Sequence, residues 1–504
     1  MRVLFIDPPG NKIYAKYNPG GNLNLAIATL TPILVAAGHK VNLFDMMNHH
    51  QNRKIEFIKP VLESFKPDVI CFSILNTQYQ NSIVIIKELR SFTTLPIILG
   101  GAEITALAEK VFDDTDNAID IVVLGEGEEA LPSLLKVLER GSVHELETIK
   151  GLVIKKAGIP VRTGMPQVVP DLNIYPSPDL TITGIKRFEL YRVMGSRGCP
   201  FNCSFCFSYL GHTWRERNPD RIINELLAAR EKYNFNRYRF LDPIFNFRPE
   251  WVYRICYAIE NSPIKDMKWE ALGVRADTLD DKLAERMAHA GCERVAIGVE
   301  SLHPEVFKHI KKGETIDQIK KGVSSAVKFF RKVSVFIIIG LQGDTKERSL
   351  YTYREVKKLN PTSISFAIAV PYSGTRLEQW VQGHATVLGS SYDSFTRGAD
   401  AFESGVAFET PEFTKQERAD VFRILSTKEF QYVSKSGIHW LLNGFLWVCD
   451  VLRYDACNFH KHVYRIIRYY ILRLYNRAKS CFLHSRSSYE YEYARVPDGT
   501  WWLG

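Results

Sequence analysis

Two series of short apolar runs, each run followed by a segment of helical spacing, constrain this 504-residue chain more than any other feature. The first series reads RVLFID (2–7), KVNLFD (40–45), DVICFSIL (68–75), PIILGG (96–101) and DIVVLGEGE (120–128). Between its first two runs, NLAIATLTPILVAAGH (24–39) has helical spacing and closes on Gly38. Strands that are apolar throughout and alternate with helices imply a parallel sheet covered on both faces. Such sheets bind ligands outside the carboxyl ends of their strands. Those ends carry Ser73, Gly100 and Gly101, and Gly125, Glu126 and Gly127. The glycines either let the backbone approach a bulky ligand or merely turn the chain, and on this ground alone both readings stand.

The second series reads YRVMGS (191–196), YRFLD (238–242), WEALGVR (269–275), RVAIGVE (294–300), VSVFIIIGL (333–341) and SISFAIAVPY (363–372). Helical segments intervene, among them 219–233 and 278–292. Six strand–helix units make a partial (β/α)6 barrel, whose active groups cluster at the C-terminal strand ends. Between the two series, residues 151–190 are rich in Pro and Gly and read as a linker with one hairpin. The expected fold class is α/β: a doubly wound, Rossmann-like domain over 1–145, a linker over 146–188, a barrel over 189–380, and a mostly helical region over 381–504. A chain of this length carries about three domains of ordinary size.

Composition is ordinary for globular proteins, with 45% hydrophobic and 24% charged residues. MRVLFIDPPG has no cleavage site of a signal peptide. Outside one cluster the cysteines are scattered, which predicts reduced thiols in a cytoplasmic setting. The net charge of +9 is concentrated: residues 453–486 carry eight Lys or Arg against Asp455 alone. Within 439–486 an apolar segment precedes HVYRIIRYYILRLYNRAK, a basic amphipathic pattern. That pattern suits either a helix packed on the barrel or peripheral contact with an anionic membrane. Nucleic acid is not expected, because no RNA-binding module accompanies the charge.

The cluster is SRGCPFNCSFC (196–206), with Cys199, Cys203 and Cys206 at i, i+4 and i+7. Three is odd, and a disulfide does not account for it. A structural zinc site needs four protein ligands. No second close cysteine pair exists, and His212 lies beyond a helix-like stretch. Three thiolates on one tight loop suit three irons of a cubane, leaving the fourth open. On spacing alone the iron–sulfur reading leads, with zinc and coincidence behind it.

CPFNCSFC resembles the signature of the radical S-adenosylmethionine (SAM) family, with an aromatic residue, Phe205, before the last cysteine. FLDPIF (240–245), residues 273–315, FIIIGLQGDTKE (336–347) and PYSGTRL (371–377) resemble the branch of that family that carries a cobalamin-binding domain. The N-terminal domain is similar to that cobalamin domain. The resemblance implies that Cys199, Cys203 and Cys206 ligate a [4Fe–4S] cluster whose fourth iron is chelated by SAM. It implies that Asp242 accepts the methionine ammonium, Arg275 faces the carboxylate, Glu300 bonds the ribose and Gly340 leaves room for the adenine. Helix capping or ion pairing is the other reading of Asp242 and Glu300, and an Arg275–Asp277 pair is that of Arg275. Ser73 with Leu75, and Gly100 with Gly101, would approach the cobalamin tail. Gly125, Glu126 and Gly127 would lie near the domain interface.

The histidine of the DxHxxG cobalt-binding motif is expected after the second strand, yet Met47 stands there, with His49 and His50 late. Cobalamin is therefore expected without a protein histidine on cobalt. The resemblance implies a methyltransferase acting on an unactivated carbon through a 5′-deoxyadenosyl radical and methylcobalamin. Oxidative cyclisation of the porphyrin-cyclase type is the alternative, and a non-catalytic cobalamin sensor the rival from another class. The implied partners are a small-molecule or lipid substrate and an external electron donor such as a flavodoxin or ferredoxin.

Overall fold

The computed structural model describes residues 1–10, 24–46, 55–184, 190–389 and 405–428. All of them fall in one compact unit, Met1–Tyr432. The basic segment within 439–486 and the loop with Met47, His49 and His50 lie outside the described residues.

The N-terminal sheet is built from β1 (Arg2–Asp7), β2 (Lys40–Asp45), β3 (Val69–Ser73), β4 (Ile97–Gly100) and β5 (Ile121–Val123), all parallel, in the order β2-β1-β3-β4-β5. Period-two alternation sends Leu4, Ile6, Phe72 and Leu99 into one apolar core and Val3, Phe5, Cys71 and Ile98 into another. Helices α1 (Leu25–Ala36), α2 (Ile58–Phe65), α3 (Tyr79–Arg90), α4 (Ala102–Leu107), α5 (Lys110–Asp114) and α6 (Gly127–Arg140) join and cover the strands. The order reverses between β1 and β3, so the switch point falls at Asp7 and Ser73. The hairpin expected in the linker forms as β6 (Leu152–Lys156) and β7 (Ile159–Arg162). It pairs antiparallel onto β5 and extends the N-terminal sheet. Its turn runs through Ala157 and Gly158, both at positive φ, as a tight two-residue hairpin requires.

The second sheet follows chain order: β8 (Tyr191–Val193), β11 (Arg237–Phe240), β12 (Lys268–Val274), β13 (Cys292–Glu300), β14 (Lys332–Ile339) and β15 (Ser363–Ile368), all parallel. A two-stranded ladder of β9 (Ser196–Arg197) and β10 (Arg215–Glu216) stands apart from it. Among the described residues β8 and β15 do not pair, so the barrel stays open. Its crossovers are α7 (Pro219–Tyr233), α8 (Pro249–Glu260), α9 (Asp281–His289), α10 (Pro304–Ile310), α11 (Ile316–Phe329) and α12 (Lys346–Lys358). Helix α7 starts because Asn218 caps the Asp220 N–H ahead of Pro219, and it stops at Asn234 in the left-handed region.

Tyr238, Phe240 and Trp269 face the helices and pack with Phe245 and Trp251. The alternate residues Arg237, Arg239 and Glu270 face the other way and pair with one another. After the barrel come α13 (Arg376–His384), a ladder of β16 (Thr386–Val387) with β17 (Phe408–Glu409), and α14 (Lys415–Lys428). Arg418 of α14 is fully buried between Phe408 and Phe413 and donates to the carbonyls of Phe413 and Gly340.

Candidate active site

The cysteine loop hangs between β9 and β10, where Arg197 pairs directly with Arg215. Gly198 opens it at φ +80°, and a side chain there would run into the Thr213 carbonyl. The Cys199 N–H donates to Gly211 O at 3.1 Å, and the Cys206 N–H to Cys203 O at 3.1 Å. Ser204 binds the loop to the barrel in both directions: its N–H donates to Ile310 O and its carbonyl accepts from Leu377 N–H, both at 2.8 Å. Phe205 packs into the apolar cluster of Ile310, Leu341 and Leu377. All three thiols are free. Burial pushes Cys203 up to about 12 and Cys206 up to about 11, and neighbouring sulfurs push each further. The sulfurs therefore share one space, and a bound cation that holds them as thiolates would remove that repulsion. His212 is occupied with the Cys199 carbonyl at 3.2 Å. The donor set fits a cluster held by three thiolates.

Asp242, just past β11, is buried and holds the entrance to this loop. It accepts from the Gly195 N–H at 3.0 Å and from Ser196 Oγ at 2.5 Å. Burial raises its carboxyl to about 6, against the lowering effect of these bonds. Arg275 forks onto Asp277 at 2.9 and 2.8 Å and donates to Lys312 O at 2.9 Å. Its guanidinium lies 3.5 Å over the Phe201 ring, inside the cysteine loop. Arg275 thus acts within the protein as a brace between β12 and the loop. Glu300 ends β13 at φ +61°, buried, with Lys312 Nζ 3.9 Å away. Burial raises the Glu300 pKa, partly offset by Lys312. Lys312 itself donates to Gly298 O and pairs with Glu314 at 2.8 Å. Gly298 has no side chain because the Glu300 carboxylate and Lys312 occupy that space. At Gly340 (φ +85°) a Cβ would meet the Arg418 guanidinium, so the glycine leaves room for that side chain.

The loops after the N-terminal strands meet the barrel around one cavity of about 640 Å³. Ser73, Leu75, Gly100, Gly101, Gly125, Glu126 and Gly127 all line it, together with Met194, Leu241 and Leu272 of the barrel. Gly101, at φ +105°, is needed for packing inside the protein, since its Cβ would fall 2.6 Å from Ile74 N and O. Asp7, Asn24 and Gln78, which the sequence pattern did not single out, line the same cavity at the switch point. Asp7 Oδ1 accepts from Gln78 Nε2 at 2.8 Å and Asn24 Nδ2 at 3.1 Å. Burial, and then Asp45, raise its carboxyl to about 7. The signal was present as an acid closing an apolar strand, FID. Lys312 and Gly298 carried no signal of their own, because only the fold brings Lys312 back onto Gly298 and Glu300.

The Radical SAM superfamily model matches residues 193–356, and the B12 binding domain model matches residues 20–135. An uncharacterized methyltransferase of Pyrococcus horikoshii is 28% identical over 405 residues, covering 79% of this chain and 86% of that protein. The anaerobic magnesium-protoporphyrin IX monomethyl ester cyclase of Cereibacter sphaeroides is 25% identical over 432 residues, 78% of this chain and 66% of the cyclase. Among solved structures, the radical S-adenosylmethionine methyltransferase TsrM from Kitasatospora setae, with cobalamin and [4Fe-4S] cluster bound, superposes with a TM-score of 0.65 at 17% identity over 76% of each chain. That likeness establishes a shared fold.

Proposed function

The chain belongs to the radical SAM superfamily and carries a B12-binding domain ahead of its barrel, and from that premise we propose that it methylates an unactivated carbon of a small-molecule substrate. The observation that carries the reading is the shared cavity, where the strand ends of the N-terminal domain face the barrel. Cofactor and substrate would then meet without crossing solvent. When bound, the [4Fe–4S] cluster with SAM supplies a 5′-deoxyadenosyl radical, and cobalamin supplies the methyl carrier.

The remaining work falls to this chain's residues. Cys199, Cys203 and Cys206 would hold three irons. Phe205, Arg275 and Ser204 fix the loop that carries them. Glu300 would accept from ribose hydroxyls, held near charge balance by Lys312. Asp242 would keep the loop entrance closed on the barrel. The cavity wall would keep a radical formed there from side reactions with other hydrogen donors. An external one-electron donor of the flavodoxin or ferredoxin type belongs to this reading, as does a cytoplasmic setting in which the described thiols stay reduced. No helix among the described residues is long and apolar enough to cross a membrane. Peripheral membrane contact through 439–486 would favour a lipid substrate.

Likeness to the porphyrin cyclase favours one second reading, oxidative cyclisation on the same scaffold. The test is anaerobic reconstitution with SAM, cobalamin and a one-electron reductant, followed by nucleoside analysis. Methylation predicts S-adenosylhomocysteine together with 5′-deoxyadenosine. Cyclisation predicts 5′-deoxyadenosine alone. Cys203→Ala should abolish 5′-deoxyadenosine. A wild-type protein that forms neither nucleoside refutes the proposal.

A further inference from the structure

The two strands that form the neck of the cysteine loop carry one arginine each, and both arginines reach across to the N-terminal domain. Arg197 Nη1 lies 2.5 Å from Glu128 Oε1 and 3.1 Å from Glu126 Oε1. Arg215 Nη1 lies 2.6 Å from Glu126 Oε2. Glu126 thus bridges both arginines, with one oxygen to each. The side chains are 1% exposed for Glu126, 6% for Glu128, 6% for Arg215 and 18% for Arg197. Two carboxylates meet two guanidiniums, so the quartet is neutral as a whole.

Further bonds extend it. Arg215 also donates to Val169 O at 2.5 Å and to Leu210 O at 2.8 Å, and the Val169 N–H donates to Glu126 Oε2 at 2.6 Å. Leu210 lies in the cysteine loop and Val169 in the connection between the domains. The quartet therefore ties four pieces of chain: the turn after β5, the first turn of α6, the interdomain connection and the neck of the loop. Arg197 stands two residues before Cys199. The neck has no route to shift against the N-terminal domain without separating buried charges.

We propose that Glu126, Glu128, Arg197 and Arg215 are positioning residues, a buried four-charge latch that sets the separation of the cysteine loop from the B12-binding domain. The inference rests on the proposed function. In that chemistry SAM held beside the loop would pass its methyl to the electron pair of cob(I)alamin and leave as S-adenosylhomocysteine. The step is sensitive to separation, since a 1 Å misplacement can lower a rate by about 10²-fold. Radical formation occurs within the barrel and does not span the two domains. Loosening the latch should therefore slow one SAM reaction and spare the other.

The test uses the reconstituted holoenzyme with added cob(I)alamin and compares wild type with Glu128→Gln and Arg197→Lys. The first removes one charge, and the second keeps the charge but replaces the planar guanidinium, whose Nη1 reaches both carboxylates, with a shorter ammonium side chain. Release of 5′-deoxyadenosine should stay within about twofold, while S-adenosylhomocysteine release falls about tenfold to a hundredfold. Glu126→Gln should show the larger fall in S-adenosylhomocysteine, because it loosens both arginines. A readout independent of turnover is the EPR spin coupling between the reduced cluster and cob(II)alamin. It varies with the inverse cube of their separation and should broaden or shift in each variant. Two products that fall in parallel, or that do not change at all, with unaltered coupling, would overturn the latch and leave the proposed function standing. A wild-type protein that forms no 5′-deoxyadenosine would overturn both.

Discussion

Replacing Gly298 by alanine tests the Glu300 assignment without touching Glu300. The new Cβ would press well inside van der Waals contact of Glu300 Oε1 and stand 3.4 Å from both Glu300 Cδ and Lys312 Nζ. Lys312 cannot follow the carboxylate, because Gly298 O and Glu314 hold it. The carboxylate must therefore swing away from its place at the end of β13. Overpacking of this kind costs about 1–3 kcal/mol. Gly298 is not among the positive-φ glycines, so alanine recovers about 0.4–1 kcal/mol by restricting the unfolded chain. The net loss of stability should lie between about 0 and about 2.6 kcal/mol. The effect on SAM should be larger than this modest cost suggests. A hydrogen bond to a charged acceptor is worth about 1.5–3 kcal/mol, so losing one bond from a ribose hydroxyl weakens SAM binding by tenfold or more. The assay is anaerobic equilibrium dialysis of SAM against cluster-reconstituted protein, with Glu300→Gln as the companion variant and chemical denaturation as the stability control. A Gly298→Ala protein that is measurably destabilised yet binds SAM within twofold of wild type would refute the ribose role of Glu300.

Three further outcomes are expected. Asp7 titrates near 7 in the folded protein against its ordinary value of 3.8, so the fold binds an extra proton between those values. Wild-type stability should fall as pH rises from about 4 to about 7, by up to about 4 kcal/mol, and Asp7→Asn should flatten that slope in urea melts. An unchanged slope in the variant would place the proton elsewhere. Glu270→Gln leaves the partly exposed Arg237, Arg239 and Arg294 without their shared buried carboxylate and should cost about 1–3 kcal/mol, with partial recovery when Arg239→Met is added. An unfolding free energy that changes by less than about 1 kcal/mol (the worth of an exposed pair) would count against it. Arg418→Met removes two carbonyl contacts and a double aromatic stack, and should destabilise the protein by about 2–4 kcal/mol while exposing α14 to protease. Wild-type proteolysis kinetics in that variant would refute the docking role.

Much of this protein was legible from local patterning. The strands of both sheets are short apolar or alternating runs, and their burial preference is a property of each run by itself. β1 and β2 fall over the residues that the pattern predicts, and the others differ by a few positions at their ends, where a run such as 363–372 continues apolar beyond its last ladder bond at Ile368. The three cysteines announce themselves because a loop that holds a cluster needs closely spaced thiolates. Side-chain partnerships were a different matter. Arg275 reads equally as a ligand for a carboxylate or as the partner of Asp277, and only the fold places Phe201 and the Lys312 carbonyl around it.

The sequence by itself determined the α/β class, the alternation of strands with helices and the three thiols, because hydrophobic periodicity and metal-ligand spacing are local. Only the tertiary structure decided what surrounds them. It brought Glu126 and Glu128 onto Arg197 and Arg215, with 69 to 89 residues between partners. It set Lys312 beside Glu300, and filled the space at Gly340 with an arginine 78 residues further along the chain. Charge pairing and close packing depend on distances in space, and a chain that crosses between two domains sets those distances only when both have folded.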